Sequence, residues 1–133
     1  MNRKTYNKIL LNMAGTWNMA IAVILLSLSL LDPPPFDLFG AETPISMVFF
    51  HTVVFFVFLF GIAFFIASRD VKRNIAVIFL GFLEKVMMFT INFIYYLIGD
   101  VGIPVLFMII VDLAFGILFL ELLVNAKKKT GTE

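Results

Sequence analysis

Four uninterrupted apolar runs, at residues 9–31, 45–67, 75–98 and 103–125, leave this chain few folds to choose from. Each reaches or exceeds the roughly 20 residues that a helix needs to cross about 30 Å of hydrocarbon. In that medium every backbone N–H and C=O must find a partner within the protein, so only helices and closed barrels are viable. A barrel strand alternates apolar and polar residues over a span of about ten. These runs are longer and continuously apolar, which selects helices. The chain therefore reads as an all-α polytopic membrane protein, an antiparallel four-transmembrane-helix bundle that occupies residues 1–133 as a single domain. Composition agrees: 62% of residues are hydrophobic and 14% charged, against roughly 45–50% and 25% in soluble domains.

The net charge of +1 offers no footing for nucleic acid, but the placement of charge is informative. Arg3, Lys4 and Lys8 precede the first run, Arg69, Lys72 and Arg73 join the second to the third, and Lys127, Lys128 and Lys129 follow the fourth. Nine of the ten basic residues fall in these three places. The other two connections hold Asp32, Asp37, Glu42 and Asp100 and no cation. By the positive-inside rule both termini and the 68–74 connection are expected in the cytoplasm, with the chain in the inner (plasma) membrane. Cysteine is absent, which removes thiolate catalysis, disulfide exchange and iron–sulfur ligation.

The first run resembles a secretory signal only at its start. It is too long for a signal core, contains Asn12 and Asn18, and ends at Asp32 and three prolines without a small-residue cleavage site; a retained helix is expected. Its stripe of Gly15, Asn18, Ala22 and Ser29 allows close approach by a neighbouring helix. Pro33, Pro34 and Pro35 cannot continue the helix, so a stiff connection to residue 44 is expected at the outer interface. The second run is expected to start after Pro44, a residue suited to a first helical turn. It carries phenylalanines on every face and the only histidine, His51, read as a hydrogen-bonded packing residue. The short 68–74 connection requires the second and third helices to be antiparallel neighbours. Asp70 is expected to cap or pair there, and the basic residues to lie among anionic headgroups in general rather than at a specific lipid site.

The third run carries Glu84 and Lys85 at its middle. At helical spacing Gly81, Lys85, Met88, Asn92, Tyr95 and Gly99 form one small and polar stripe. Lys85 lies ten residues into its helix and Asp112 nine into the next from the other side. At 1.5 Å per residue both sit about 15 Å deep, and a salt bridge between the third and fourth helices is expected. Asn18 shares that level, while His51 and Asn92 share one nearer the outer face. Glu84 is about 100° around the helix from Lys85 and is expected to turn towards another helix or a second subunit. Glu121, near the end of its span, is expected to meet Lys127 or Lys128.

The residues Ala67, Ser68, Arg69 and Asp70 with Arg73 and Asn74, the pair Gly81 and Lys85, and Asp112 and Leu113 with Phe115 and Phe119 resemble a pattern in small four-helix bacterial membrane proteins of unassigned function, broadly DoxX-like in architecture. Glu84 stands where such proteins have a small residue. The resemblance implies an architecture and no activity.

Lys85, Asp112, Glu84, His51, Asn92, Asn18 and Tyr95 are thus the candidate ligand or ion-pair seam. Three functions compete. The first is a non-catalytic bundle that binds a lipid, a quinone, a membrane protein or a second copy of itself. The second is a small proton- or cation-coupled transporter using Glu84 or Asp112. The third is a membrane enzyme acting on a lipophilic substrate through His51, Lys85 and Asp112. No nucleophile motif, phosphate-cradling loop, dinucleotide fingerprint or metal-ligand pair is present, so no catalytic residue, metal ligand or cofactor is assigned. The absence of these motifs weighs against the third.

Overall fold

The computed structural model describes residues 2–130, with side chains to residue 126. Four helices account for almost all of it: α1 (Arg3–Ser29), α2 (Met47–Arg69), α3 (Ile75–Ile98) and α4 (Ile103–Thr130). All four are long and apolar enough to cross a membrane. The two outer helices exceed their apolar runs. α1 begins at Arg3 because the Asn2 side chain accepts from the Lys4 N–H at 3.1 Å, an N-cap that lets the basic lead residues join the helix. At 27 residues α1 is about 40 Å long, more than the hydrocarbon requires.

The connections explain where the helices stop. After α1, residues 36–39 form a single 3₁₀ turn closed by Gly40 at φ 64°. The Gly102 N–H donates to the Phe39 carbonyl at 2.6 Å, so this connection is pinned to the α3–α4 turn. Gly40 and Gly102 touch so closely that a Cβ on Gly40 would lie 2.7 Å from the Gly102 nitrogen. Phe36 is buried edge-on against Phe50, with ring centroids 5.0 Å apart. α2 starts at Met47 rather than directly after Pro44, because Ser46 is still extended (φ −128°, ψ 119°). Asp70 ends α2 and organises the next turn, its carboxylate accepting from the Arg73 N–H at 3.1 Å. α3 closes in a Schellman motif. Asp100 N–H bonds to the Tyr95 carbonyl and Gly99 N–H to that of Tyr96, with Gly99 in the left-handed region at φ 87°.

The helices form two tight hairpins, α1 with α2 and α3 with α4; α2 touches α3, and α1 touches α4, much less extensively. Glycine explains the first pairing. A Cβ on Gly15 would lie 2.9 Å from the Gly61 carbonyl oxygen, and one on Gly61 would lie 3.0 Å from that of Gly15. The two backbones are in direct contact, the approach that small residues permit in lipid. Across the hairpins, contact passes through side chains instead. Phe64 of α2 inserts against Gly81 of α3 and meets Phe119 of α4 edge-on, with ring centroids 5.0 Å apart. Leu10, Leu11 and Ala14 of α1, with Ala67, Ile78 and Leu122, complete this buried core. It lies towards the end of the bundle where α1 begins. The outward faces remain apolar and exposed, Phe49, Phe55 and Phe56 among them.

Candidate functional site

The two hairpins meet through a buried polar cluster halfway along the bundle. α3 supplies Lys85, whose side chain is 1% exposed, and α4 supplies Asp112 at 13%. Their Nζ and Oδ1 atoms are 2.6 Å apart, so the salt bridge expected from matched depth is present between antiparallel α3 and α4. α1 contributes Asn18, fully buried, whose Oδ1 accepts from Lys85 Nζ at 2.5 Å. Lys85 therefore uses one proton within its own hairpin and one across to the other. Gly116, one turn beyond Asp112, makes room for the lysine stem, since a Cβ there would lie 3.3 Å from the Lys85 Cβ.

Trp17 belongs to the cluster and was not among the residues expected from the sequence. Its indole Nε1 donates to Asp112 Oδ1 at 3.1 Å. Adjacent residues of α1 thus reach different helices, Asn18 to α3 and Trp17 to α4, which places α1 across the α3–α4 pair. An indole N–H at mid-depth in an apolar segment requires an acceptor, and that requirement was available in the sequence.

Glu84 joins the same cluster. Its carboxylate turns back to the lysine beside it, with Oε2 3.4 Å from Lys85 Nζ, and has Asn18 of α1 as a neighbour across the hairpins. The side chain is 10% exposed, and neither carboxylate oxygen has a hydrogen-bond partner in the protein; nor does the Asn18 Nδ2. The cluster thus holds two carboxylates and one ammonium, with one amide donor and both oxygens of one carboxylate left over.

The outer part of the expected seam does not join. His51 Nε2 lies 3.0 Å from Ser29 Oγ, linking α2 to α1. The Ser29 hydroxyl also lies 2.7 Å from the Leu26 carbonyl of its own helix. Asn92 donates to the Met88 carbonyl of its own helix, and Tyr95 is 48% exposed. Among the described residues no hydrogen bond connects His51, Asn92 and Tyr95 to one another or to Lys85. The stripe on α3 is buried at Gly81 and Lys85, half-buried at Met88 and Asn92, and open at Tyr95 and Gly99.

A second polar contact joins α1 to α4 at the end where α1 begins. Arg3 Nη2 and Glu121 Oε1 are 2.8 Å apart, and the Tyr6 hydroxyl donates to Glu121 Oε2 at 3.4 Å. Glu121 thus pairs with the start of the chain; Lys127 and Lys128, the partners expected for it, have side chains outside the described residues. The chain matches no protein-family model, no curated protein and no solved structure.

Proposed function

We propose that this chain is a non-catalytic membrane bundle in which the Lys85–Asp112–Asn18–Trp17 cluster locks the two hairpins together, and that its activity is binding a lipid, quinone or protein partner. The observation that carries this reading is the internal use of Lys85. A lysine 1% exposed that gives its protons to Asp112 and Asn18 at 2.6 and 2.5 Å is engaged in holding helices, with little left for a substrate. The positive-inside rule supports cytoplasmic termini in the inner membrane, because Arg3, Lys4 and Lys8 share one end of the bundle with Arg69 and Lys72. The likeness to small four-helix bacterial membrane proteins of the DoxX-like kind is part of the same proposal. Purification in mild detergent followed by mass spectrometry of the retained molecules tests it. A stoichiometric lipid, quinone or protein partner is expected on the wild type and on the Lys85→Met/Asp112→Leu double variant alike. Loss of that partner from a stable double variant refutes the lock reading and makes the pair part of a binding or catalytic site.

Glu84 favours a second reading, the proton- or cation-coupled transporter. A carboxylate 10% exposed, without a hydrogen-bond partner among the described residues and set in a cluster of two carboxylates and one ammonium, is equipped to hold a proton or cation near the membrane midplane. Proton flux into proteoliposomes decides it. Flux in the wild type that Glu84→Gln abolishes, with thermal stability unchanged, supports transport; no flux above protein-free vesicles removes it.

A further inference from the structure

At the end of the bundle where α1 begins, the helices part around an open groove of about 1230 Å³. Its lining changes character along its length. At the helix ends stand Arg3, Lys4 and Lys8 of α1, Arg69 at the end of α2, and Lys72 of the following turn. One to two turns further in, the walls are Ile75, Phe79 and Phe82 of α3 with Leu120, Leu123 and Val124 of α4. The change from cationic to apolar thus takes place within about 10 Å, by the rise of the first two turns of α3.

One carboxylate, Asp70, stands in the groove lining among these cations, and Glu121 lies nearby. Asp70 accepts from the Arg73 N–H within its own turn, and Glu121 pairs with Arg3. Among the described residues no carboxylate pairs with Lys4, Lys8, Arg69 or Lys72. Four cations that pair with no carboxylate among the described residues, directly beside an apolar cleft, match one kind of ligand: a single anionic group carrying long hydrocarbon chains.

We propose that this groove is a binding site for one anionic phospholipid, its phosphodiester held by Lys8, Arg69 and Lys72 and its acyl chains lying along Phe79, Phe82 and Leu120. The proposal rests on the membrane-bundle reading above and names its ligand class and place. Lys and Arg donate charge-assisted hydrogen bonds to phosphate oxygens, and each basic residue near an anionic headgroup contributes about 1 kcal/mol, or roughly fivefold in affinity. The groove adds what a scattering of surface lysines lacks, an apolar wall continuous with the cationic rim.

The test uses the full chain in neutral detergent micelles, with dioleoylphosphatidylglycerol, dioleoylphosphatidylcholine or inorganic phosphate as probe and native mass spectrometry as readout. One phosphatidylglycerol is expected to be retained, at least tenfold more tightly than phosphatidylcholine, and inorganic phosphate is expected not to displace it. Lys72→Gln should weaken retention about fivefold and Lys8→Gln/Lys72→Gln about 25-fold. Arg73→Gln removes the same charge one residue away, outside the groove lining, and should stay within twofold. Equal losses from Lys72→Gln and Arg73→Gln would overturn the site in favour of diffuse surface charge. Equal retention of phosphatidylcholine would reduce it to an apolar cleft, and displacement by inorganic phosphate would make the ligand a free anion; either overturns the proposal. The phosphatidylglycerol preference is read independently of Lys85 and Asp112. Failure here leaves the lock reading intact, and failure of the lock leaves this site intact.

Discussion

Replacing Lys85 and Asp112 singly and together puts the lock to a quantitative test. Lys85→Met leaves Asp112, 13% exposed, with a single neutral donor, the Trp17 indole at 3.1 Å, and leaves Glu84 without a cation. Asp112→Leu leaves the Lys85 ammonium with the Asn18 carbonyl at 2.5 Å and Glu84 at 3.4 Å. Breaking a buried pair by removing one partner typically costs 3–5 kcal/mol. Because Asp112 and Lys85 each keep a partial partner when stranded, the lower end applies, about 3 kcal/mol or more than a hundredfold in the unfolding equilibrium. The double variant removes both members of the pair, and the one charge it leaves without a cation is Glu84, which stands 3.4 Å from the Lys85 ammonium in the natural chain. What it loses is the pairing of the Asn18 carbonyl and the Trp17 N–H, and interhelical hydrogen bonds in membranes average about 0.6 kcal/mol each. Those two bonds come to about 1 kcal/mol, the lost Lys85–Glu84 contact adds to it, and the sum stays below the about 6 kcal/mol of independent effects.

Trp17 makes the measurement direct, since it is the only tryptophan in the chain and touches the cluster itself. Its emission, followed during unfolding by titrated anionic detergent in mixed micelles, reports the seam, while far-ultraviolet circular dichroism reports the helices. The expected result is two damaging single variants and a largely rescued double. Additive losses would refute the pairing, and two neutral single variants would refute the claim that burial makes it matter.

Two further perturbations follow from the geometry. A Cβ at Gly81 collides with the ring of Phe64, which is fully buried against Phe119, so Gly81→Ala should destabilise by about 1–3 kcal/mol in the same unfolding assay, with partial rescue by Phe64→Leu. Cysteines introduced at Thr5 and Asn74 of this cysteine-free chain should resist membrane-impermeant thiol reagents added outside intact cells, and labelling there would overturn the proposed topology.

The residues that could be read ahead of the structure are those fixed by depth. Run length places each helix in the bilayer, and counting inward from a short turn puts Lys85 opposite Asp112 and level with Asn18, where their atoms meet at 2.5–2.6 Å. Direction around a helix is harder to read. Helical spacing turns Glu84 to another face, since its Cα lies about 100° around the helix from that of Lys85. A long side chain can curl back, however, and the carboxylate ends 3.4 Å from the neighbouring ammonium. Tyr95 shares the stripe of Lys85 but not its burial, because periodicity does not show where along α3 the packing ends. Nor do loop lengths separate the hairpins. The α2–α3 connection is nearly as short as the α3–α4 turn, yet α1 is the helix that packs tightly on α2, through a close approach that the small-residue stripe of α1 allows without naming Gly61 as its partner.

In lipid, burying one apolar helix face on another gains nothing from the hydrophobic effect, since the acyl chains are equally apolar. Association then depends on close backbone approach or on polar side-chain bonds, and this bundle separates the two. Gly15 and Gly61 bring backbones together within a hairpin, while Lys85, Asn18, Asp112 and Trp17 act between hairpins, where the helices stand further apart. An apolar replacement of similar size can be as stable as a buried pair, so the distinctive contribution of the ions is register. A slide of one helical turn would leave Lys85 and Asn18 unpaired, whereas Met and Leu would slide over their neighbours at little cost. Cross-linking can detect the difference, because Arg3 and Glu121 mark the native register with side chains 2.8 Å apart. In the natural background Arg3→Cys/Glu121→Cys should be joined by a bis-maleimide that spans the length of the two replaced side chains, and Arg3→Cys/Asn125→Cys, one turn along α4, should be joined far less. In the Lys85→Met/Asp112→Leu background both pairs should cross-link. If the double variant keeps the single native cross-link, apolar packing alone sets the register, and the ion pair is dispensable to the alignment of the hairpins.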